Sequence, residues 1–100
     1  MTEIRISRAA AADIVTLKSY SEAAFGAAVA ARYLDKLEKS LRLLVEHPMA
    51  GASEDMLGAG LRGLNSGSHR IYYRFDGHEL LIVRILHNRQ DIRSALGEAG

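Results

Sequence analysis

The chain has 100 residues, 48% hydrophobic and 25% charged, a length and composition that lead us to expect one ordered globular domain spanning residues 1–100 and exclude two domains. Thirteen Lys and Arg against 12 Asp and Glu leave a net charge of +1, too balanced for the domain-wide basicity of a generic nucleic-acid binder, so any basic site must be local. The absence of cysteine excludes a disulfide framework and a thiolate zinc site, and fits a reducing compartment with the cytoplasm as the default.

Charges at Glu3, Arg5, Arg8, Asp13 and Lys18 interrupt the opening of the chain, so neither a targeting segment nor a membrane span is expected there. Thr2 to Ser7 alternates, with Ile4 and Ile6 on one side and Glu3 and Arg5 on the other, which predicts a short strand. Ser7 stands where an N-cap should, ahead of alanine-rich sequence, and a helix is expected from about Arg8 to Phe25. Its stripe is Ile14, Leu17, Tyr20 or Ser21, and Ala24, leaving Asp13, Lys18 and Glu22 on the exposed side. Gly26 interrupts the run. Beyond it Ala30, Tyr33, Leu34, Leu37, Leu41, Leu44 and Val45 make a stronger helical stripe that ends before His47 and Pro48. On the opposite face Asp35 with Lys39, and Glu38 with Arg42, have the favourable i, i+4 order.

Pro48 to Gly60 reads as a loop, and Leu61 to Leu64 as a short strand. His69–Asp76 and Glu79–His87 are two strong strands joined at Asp76-Gly77, a dipeptide favoured by tight primed turns in which both central residues need positive φ. Strict alternation places His69, Ile71, Tyr73 and Phe75 on one face of the first, toward the helices, and Arg70, Tyr72, Arg74 and Asp76 on the other. In the second strand Leu81, Val83 and Ile85 share a face opposite Leu80, Ile82, Arg84 and Leu86. The expected fold is α+β, in the order β-α-α-β-β-β. A helical hairpin packs on one face of a mainly antiparallel four-stranded sheet.

Most candidate chemistry is excluded by spacing. Gly58, Gly60, Gly63 and Gly67 form neither a P-loop nor a dinucleotide fingerprint. His47, His69, His78 and His87 have no metal-ligand spacing, and Ser66 and Ser68 lack a nucleophile elbow. No metal, cofactor or catalytic residue is therefore assigned. The arginines are the informative residues. Between Leu61 and Arg93 the chain carries Arg62, Arg70, Arg74, Arg84, Arg89 and Arg93, no lysine, and only the acids Asp76, Glu79 and Asp91. Arg70, Arg74 and Arg84 are expected on the sheet face the helices leave uncovered, beside Tyr72, where they either present bidentate forks to an anionic partner or form a solvated strand face. Arg84 can also pair with Asp91 or Glu79 inside the fold.

The element order, Gly60-Leu61-Arg62, Gly67-Ser68-His69, Tyr73-Arg74, and the closing Arg84-Ile85-Leu86-His87-Asn88-Arg89-Gln90-Asp91 resemble the ParE branch of the RelE/ParE toxins of bacterial toxin–antitoxin systems. Ser7-Arg8-Ala9-Ala10, Gly26 and His47-Pro48 extend the resemblance over nearly the whole chain. It implies a cytoplasmic toxin that inhibits DNA gyrase, is not an enzyme, and serves plasmid or chromosome stabilisation. The alternative is the RelE-like branch, which cleaves messenger RNA on the ribosome. Proton transfer there needs acid and base groups, and Ile92 to Gly100 holds no Tyr, His or Lys, with Ala95 near the expected aromatic position. His69 or His87 would have to substitute, whereas each also serves to fix a strand end. A third possibility is a degenerate toxin that retains only antitoxin binding. The residues expected to contact the target or carry toxicity are Arg62, Arg70, Tyr72, Arg74, Arg84, His87 and Arg89.

The resemblance also implies a hetero-oligomer with a ParD-like antitoxin, whose C-terminal part wraps the toxin and whose N-terminal part dimerises on operator DNA. The toxin would meet DNA only through the antitoxin or gyrase, and no membrane is involved. Ile82 and Leu86, on the second sheet face, are expected to be apolar surface for the antitoxin.

Overall fold

The computed structural model describes residues 2–99. The elements run β1 (Glu3–Ile6), α1 (Arg8–Phe25), α2 (Ala27–Glu46), β2 (Ala52–Ser53), β3 (Arg62–Ser66), β4 (His69–Phe75), β5 (Glu79–His87) and α3 (Ile92–Ala99). They form a sheet of order β1-β5-β4-β3-β2, in which β1 lies parallel to β5 and all other pairs are antiparallel. The expected α+β arrangement is present, with five strands instead of four. The additional strand β2 lies inside the segment read as a loop and pairs Ala52 with Gly63 and Ser53 with Arg62. Two residues are too few to show alternation in a sequence.

Ser7 makes the first corner. Its hydroxyl accepts the Ala10 amide at 3.0 Å as an N-cap and donates to the Val83 carbonyl at 2.8 Å, so the cap also anchors α1 to β5. Gly26, at φ 88 and ψ 165, ends α1 and begins α2; this backbone region is almost reserved for glycine. The hairpin then lays Ala10, Leu17, Leu37 and Leu44 on Ile71, Tyr73, Leu80, Ile82 and Ile85 of the sheet. Of the two α1 options, Ser21 is buried while Tyr20 is 67% exposed. The predicted pairs on α2 are formed, Lys39 to Asp35 at 3.2 Å and Arg42 to Glu38 at 2.6 Å.

Three details of the last hairpin depart from strict alternation. The loop is centred on Gly77 and His78, with positive φ only at Gly77; Asp76 flanks it and its carboxylate accepts the His78 and Glu79 amides. Glycine first and an ordinary second residue is the pattern of a type II′ connection. A bulge then sets Tyr72 opposite Arg84 but Tyr73 opposite Ile82, leaving Val83 unpaired. It inverts the phase of β5, so Leu80, Ile82 and Ile85 face the hairpin while Val83 and Leu86 face the other side.

That other side is also covered. Asp91 opens α3, its carboxylate accepting the Arg93 amide at 3.1 Å, and Ile92, Ala95 and Leu96 pack on Leu61, Tyr72 and Leu86. The sheet face expected to be open is therefore a second small core. Ile82 and Leu86, expected as antitoxin surface, are 0% and 2% exposed and belong to the interior of this chain.

Candidate functional site

The predicted arginine face divides into separate environments. Only Arg70, Tyr72 and Arg74 share a strand face. Arg70 donates to Asn65 Oδ1 at 2.8 Å, meets Glu54 at 3.2 Å, and holds its guanidinium carbon 5.8 Å from the centre of the Tyr72 ring. It lies directly over Gly63, where a Cβ would come within 2.5 Å of Arg70 Nε, so the absence of a side chain at residue 63 makes room for the guanidinium. Tyr72 is buried under this cover and under α3; burial is the main influence raising its phenol pKa above the ordinary value. Arg74 is exposed and donates to the Ala59 carbonyl at 3.2 Å.

Arg62 pairs in register with Tyr73, on the hairpin side of the sheet. It donates to the Met49 and Gly51 carbonyls at 3.1 and 2.6 Å and fastens the segment leaving α2. Arg84 is a structural residue as well. Its Nε and Nη2 grip both oxygens of Asp13 at 2.8 Å, Nη1 donates to the Ala95 carbonyl at 2.8 Å, and both partners of the ion pair are only 12% exposed. Its acid is thus Asp13 of α1, neither Asp91 nor Glu79, and Asp13 does not lie on the exposed side of the helix. The same carboxylate accepts the Ile85 amide at 2.9 Å, beyond the point where β1 stops and leaves the β5 edge unpaired.

His87 and Arg89 belong to a different place. Here α1 and the ends of β4 and β5 enclose a cleft of about 350 Å³, lined by Asp13, Thr16, Leu17, Tyr20, His69, Ile85, His87, Arg89 and Gln90. The His69 and His87 rings meet edge to face with centroids 5.2 Å apart. His69 Nδ1 shares a 2.7 Å hydrogen bond with the Tyr33 hydroxyl, which also accepts the Ser68 amide at 2.9 Å. Burial, and then the neighbouring His87, lower the His69 pKa, while Asp13 pulls it in the opposite direction. His87 Nδ1 accepts the Arg89 amide at 3.1 Å, which leaves its neutral form protonated at Nε2.

Asp13, Tyr33 and Glu54 are the participants that sequence reasoning missed. A signal existed for Asp13, which falls between Ala10 and Leu17 at helical spacing on the buried side of α1. Tyr33 was placed in the core stripe, but its hydroxyl had no visible partner in one dimension. Among the described residues no group of three or more His, Asp or Glu side chains is placed to hold a metal ion.

A helical hairpin on a mainly antiparallel sheet, with arginines on its last two strands, defines a small α+β domain. The chain belongs to the ParE toxin family: the family described as the ParE toxin of the type II toxin–antitoxin system parDE matches residues 4–92. Toxin ParE1 of Caulobacter vibrioides is 38% identical over 97 residues, 97% of this chain and 100% of the relative. Toxin ParE1 of Mycobacterium tuberculosis H37Rv is 33% identical over 68% of this chain and 70% of its own. The fold superposes on a chain of the chromosomal ParDE system from P. aeruginosa with a TM-score of 0.76 at 22% identity, covering 87% of this chain and 96% of that one.

Proposed function

We infer that this chain is the toxin of a type II toxin–antitoxin pair, that it acts in the cytoplasm as a non-enzymatic inhibitor of DNA gyrase, and that a ParD-like antitoxin neutralises it. The observation that carries this reading is the match to Toxin ParE1 of Caulobacter vibrioides along its entire length. The geometry supports inhibition over RNA cleavage. Arg70 and Arg84 are engaged by Glu54 and Asp13, so they offer little free charge to a phosphate backbone. Ala95, near the position where the cleaving branch keeps an aromatic residue, lies on the buried face of α3 against Tyr72 and Leu86 at 8% exposure.

The target-binding surface is proposed at Arg74 and Arg89, which are exposed and form no ion pair among the described residues, together with His87 and the Arg70 edge above Tyr72. Arg62 and Arg84 position backbone around that surface. With Ile82 and Leu86 interior, the antitoxin surface is proposed on the exposed apolar residues that adjoin β1 and α1, Ile4 and Ile6 on the edge strand and Val15 and Phe25 on the helix, between 40% and 65% exposed. An extended antitoxin segment can add to the open side of β1 and continue over the helices. Among the described residues no helix is long and apolar enough to cross a membrane.

Two assays run in parallel test the reading. Purified toxin should block gyrase supercoiling and leave ribosome-bound messenger RNA intact. Cleaved messenger RNA with unaffected gyrase would replace inhibition by nuclease action, and absence of growth arrest without antitoxin would indicate a degenerate toxin.

A further inference from the structure

The cleft beside α1 lies on the hairpin side of the sheet and has its own chemistry. Its volume of about 350 Å³ suits a small ligand, at the lower end of the range of ligand pockets. Leu17 and Ile85 supply an apolar floor, and Thr16 and Gln90 supply polar groups at the wall. Tyr20 presents a 67% exposed ring that is braced edge to face on Phe25, centroids 6.5 Å apart. Arg89 brings a guanidinium with no acidic partner among the described residues. Asp13 also lines the cleft, but its two oxygens are already held by Arg84 and the Ile85 amide, so the uncompensated charge is that of Arg89.

The histidines add directed ring nitrogens. With Nδ1 of His69 on the Tyr33 hydroxyl and Nδ1 of His87 on the Arg89 amide, the Nε2 atom of each ring is left without a partner among the described residues. A braced aromatic ring, a free guanidinium and two imidazole nitrogens around one small cleft match a planar base attached to a phosphate.

We propose that this cleft is a binding site for a nucleoside monophosphate, with the phosphate held by Arg89 and the Nε2 groups of His69 and His87 and the base stacked on Tyr20. The site binds; nothing in it performs chemistry on the ligand. A phosphate beside His69 favours its protonated form, against the burial and the neighbouring His87 that lower its pKa. The charged and titratable groups around His69 are Tyr33 on α2, Asp13 with its partner Arg84, His87 and Arg89. Affinity should therefore rise as pH falls through about 6.5 and below, where His69, its pKa lowered from the ordinary imidazole value, takes up its proton.

The test is titration of the full chain with adenosine monophosphate, followed through the ring resonances of His69 and His87 and by calorimetry. Saturable shifts of both rings are expected, with adenosine and inorganic phosphate each at least about tenfold weaker than the nucleotide. Arg89→Ala and Tyr20→Ala, both at exposed positions, should each weaken binding about tenfold, through the lost charged hydrogen bonds and the lost stacking respectively. Arg93→Ala, outside the cleft, should leave it unchanged, and unaltered amide spectra will show that each variant is folded. Absence of histidine shifts up to about 10 mM nucleotide, a millimolar floor below which binding has little meaning, overturns the proposal. So does equal loss in Arg89→Ala and Arg93→Ala, or inorganic phosphate binding as tightly as the nucleotide.

Discussion

A single carboxylate, Asp13, balances one buried guanidinium and one orphan strand amide, which makes it the most consequential acid in the chain. Asp13→Ala leaves Arg84 buried without its counter-charge and should cost about 3–5 kcal/mol in urea unfolding. The double variant Asp13→Ala, Arg84→Met removes both charges and should recover part of that loss. If the double variant is as unstable as the two single losses added together, the pair is not coupled. His69 sets a different dependence. Its folded pKa lies below the ordinary 6.5, chiefly because the ring is partly buried, so the folded state resists protonation. The associated stability is complete above pH 6.5 and declines as pH falls below it toward the lowered folded value. In His69→Gln, which keeps a polar side chain near Tyr33, chemical denaturation should show a flatter profile over that interval. A profile unchanged from the parent would assign the dependence to another group.

At the level of elements, the helices were legible because their stripes are long. Leu37, Leu41 and Leu44 repeat the same face often enough that no single residue decides it. Gly26 marked the break between them, and the structure gives it a conformation that an alanine resists. With open space around its Cα, the penalty for Gly26→Ala is purely conformational, about 1–3 kcal/mol, visible as a lower melting temperature with an unchanged fold. The strands were harder. In β5 strict alternation put Leu80, Ile82 and Val83 on the wrong faces, because the bulge at Val83 shifts the phase there; Ile85 and Leu86 lie on the faces expected, and Leu86 is interior because α3 covers it. No residue type announces that bulge. The short α3 was legible in principle from Asp91 as a cap and from Ile92, Ala95 and Leu96 at helical spacing, but eight residues carry little periodic signal. Ala95→Glu should release α3 from Tyr72 and Leu86, raising binding of a hydrophobic dye while the main core stays folded. Unchanged dye binding would mean that α3 stays docked through Ile92 and Leu96.

For the molecule as a whole, the near-neutral total hides a division of labour among the arginines. Of those on the last strands and the segment that follows, Arg84 stabilises, Arg70 is half neutralised by Glu54, and Arg74 and Arg89 remain available to a partner. Growth arrest on expression should therefore fall sharply in Arg89→Ala at unchanged melting temperature, whereas Arg84→Ala should lose activity and stability together. Full toxicity in Arg89→Ala would move the working surface elsewhere. Ile6→Glu, on the exposed edge, should weaken antitoxin binding by at least about tenfold without reducing toxicity, because the buried apolar contact is replaced by a charge. The same binding constant in Ile6→Glu would exclude β1 from that interface.

The two rims of the sheet are both short. β2 offers two residues, β1 offers four, and immediately past β1 the continuing rim of β5 is occupied by the Asp13 carboxylate at Ile85. Copies of the chain stacking rim to rim would gain only a few main-chain hydrogen bonds before meeting a helix, so the sheet is poorly suited to grow into a fibre. A segment able to reach beyond the rim and grasp the helices as well escapes that limit. The fold thereby discriminates between a long dedicated ligand and its own duplicates by the length of strand it leaves uncovered.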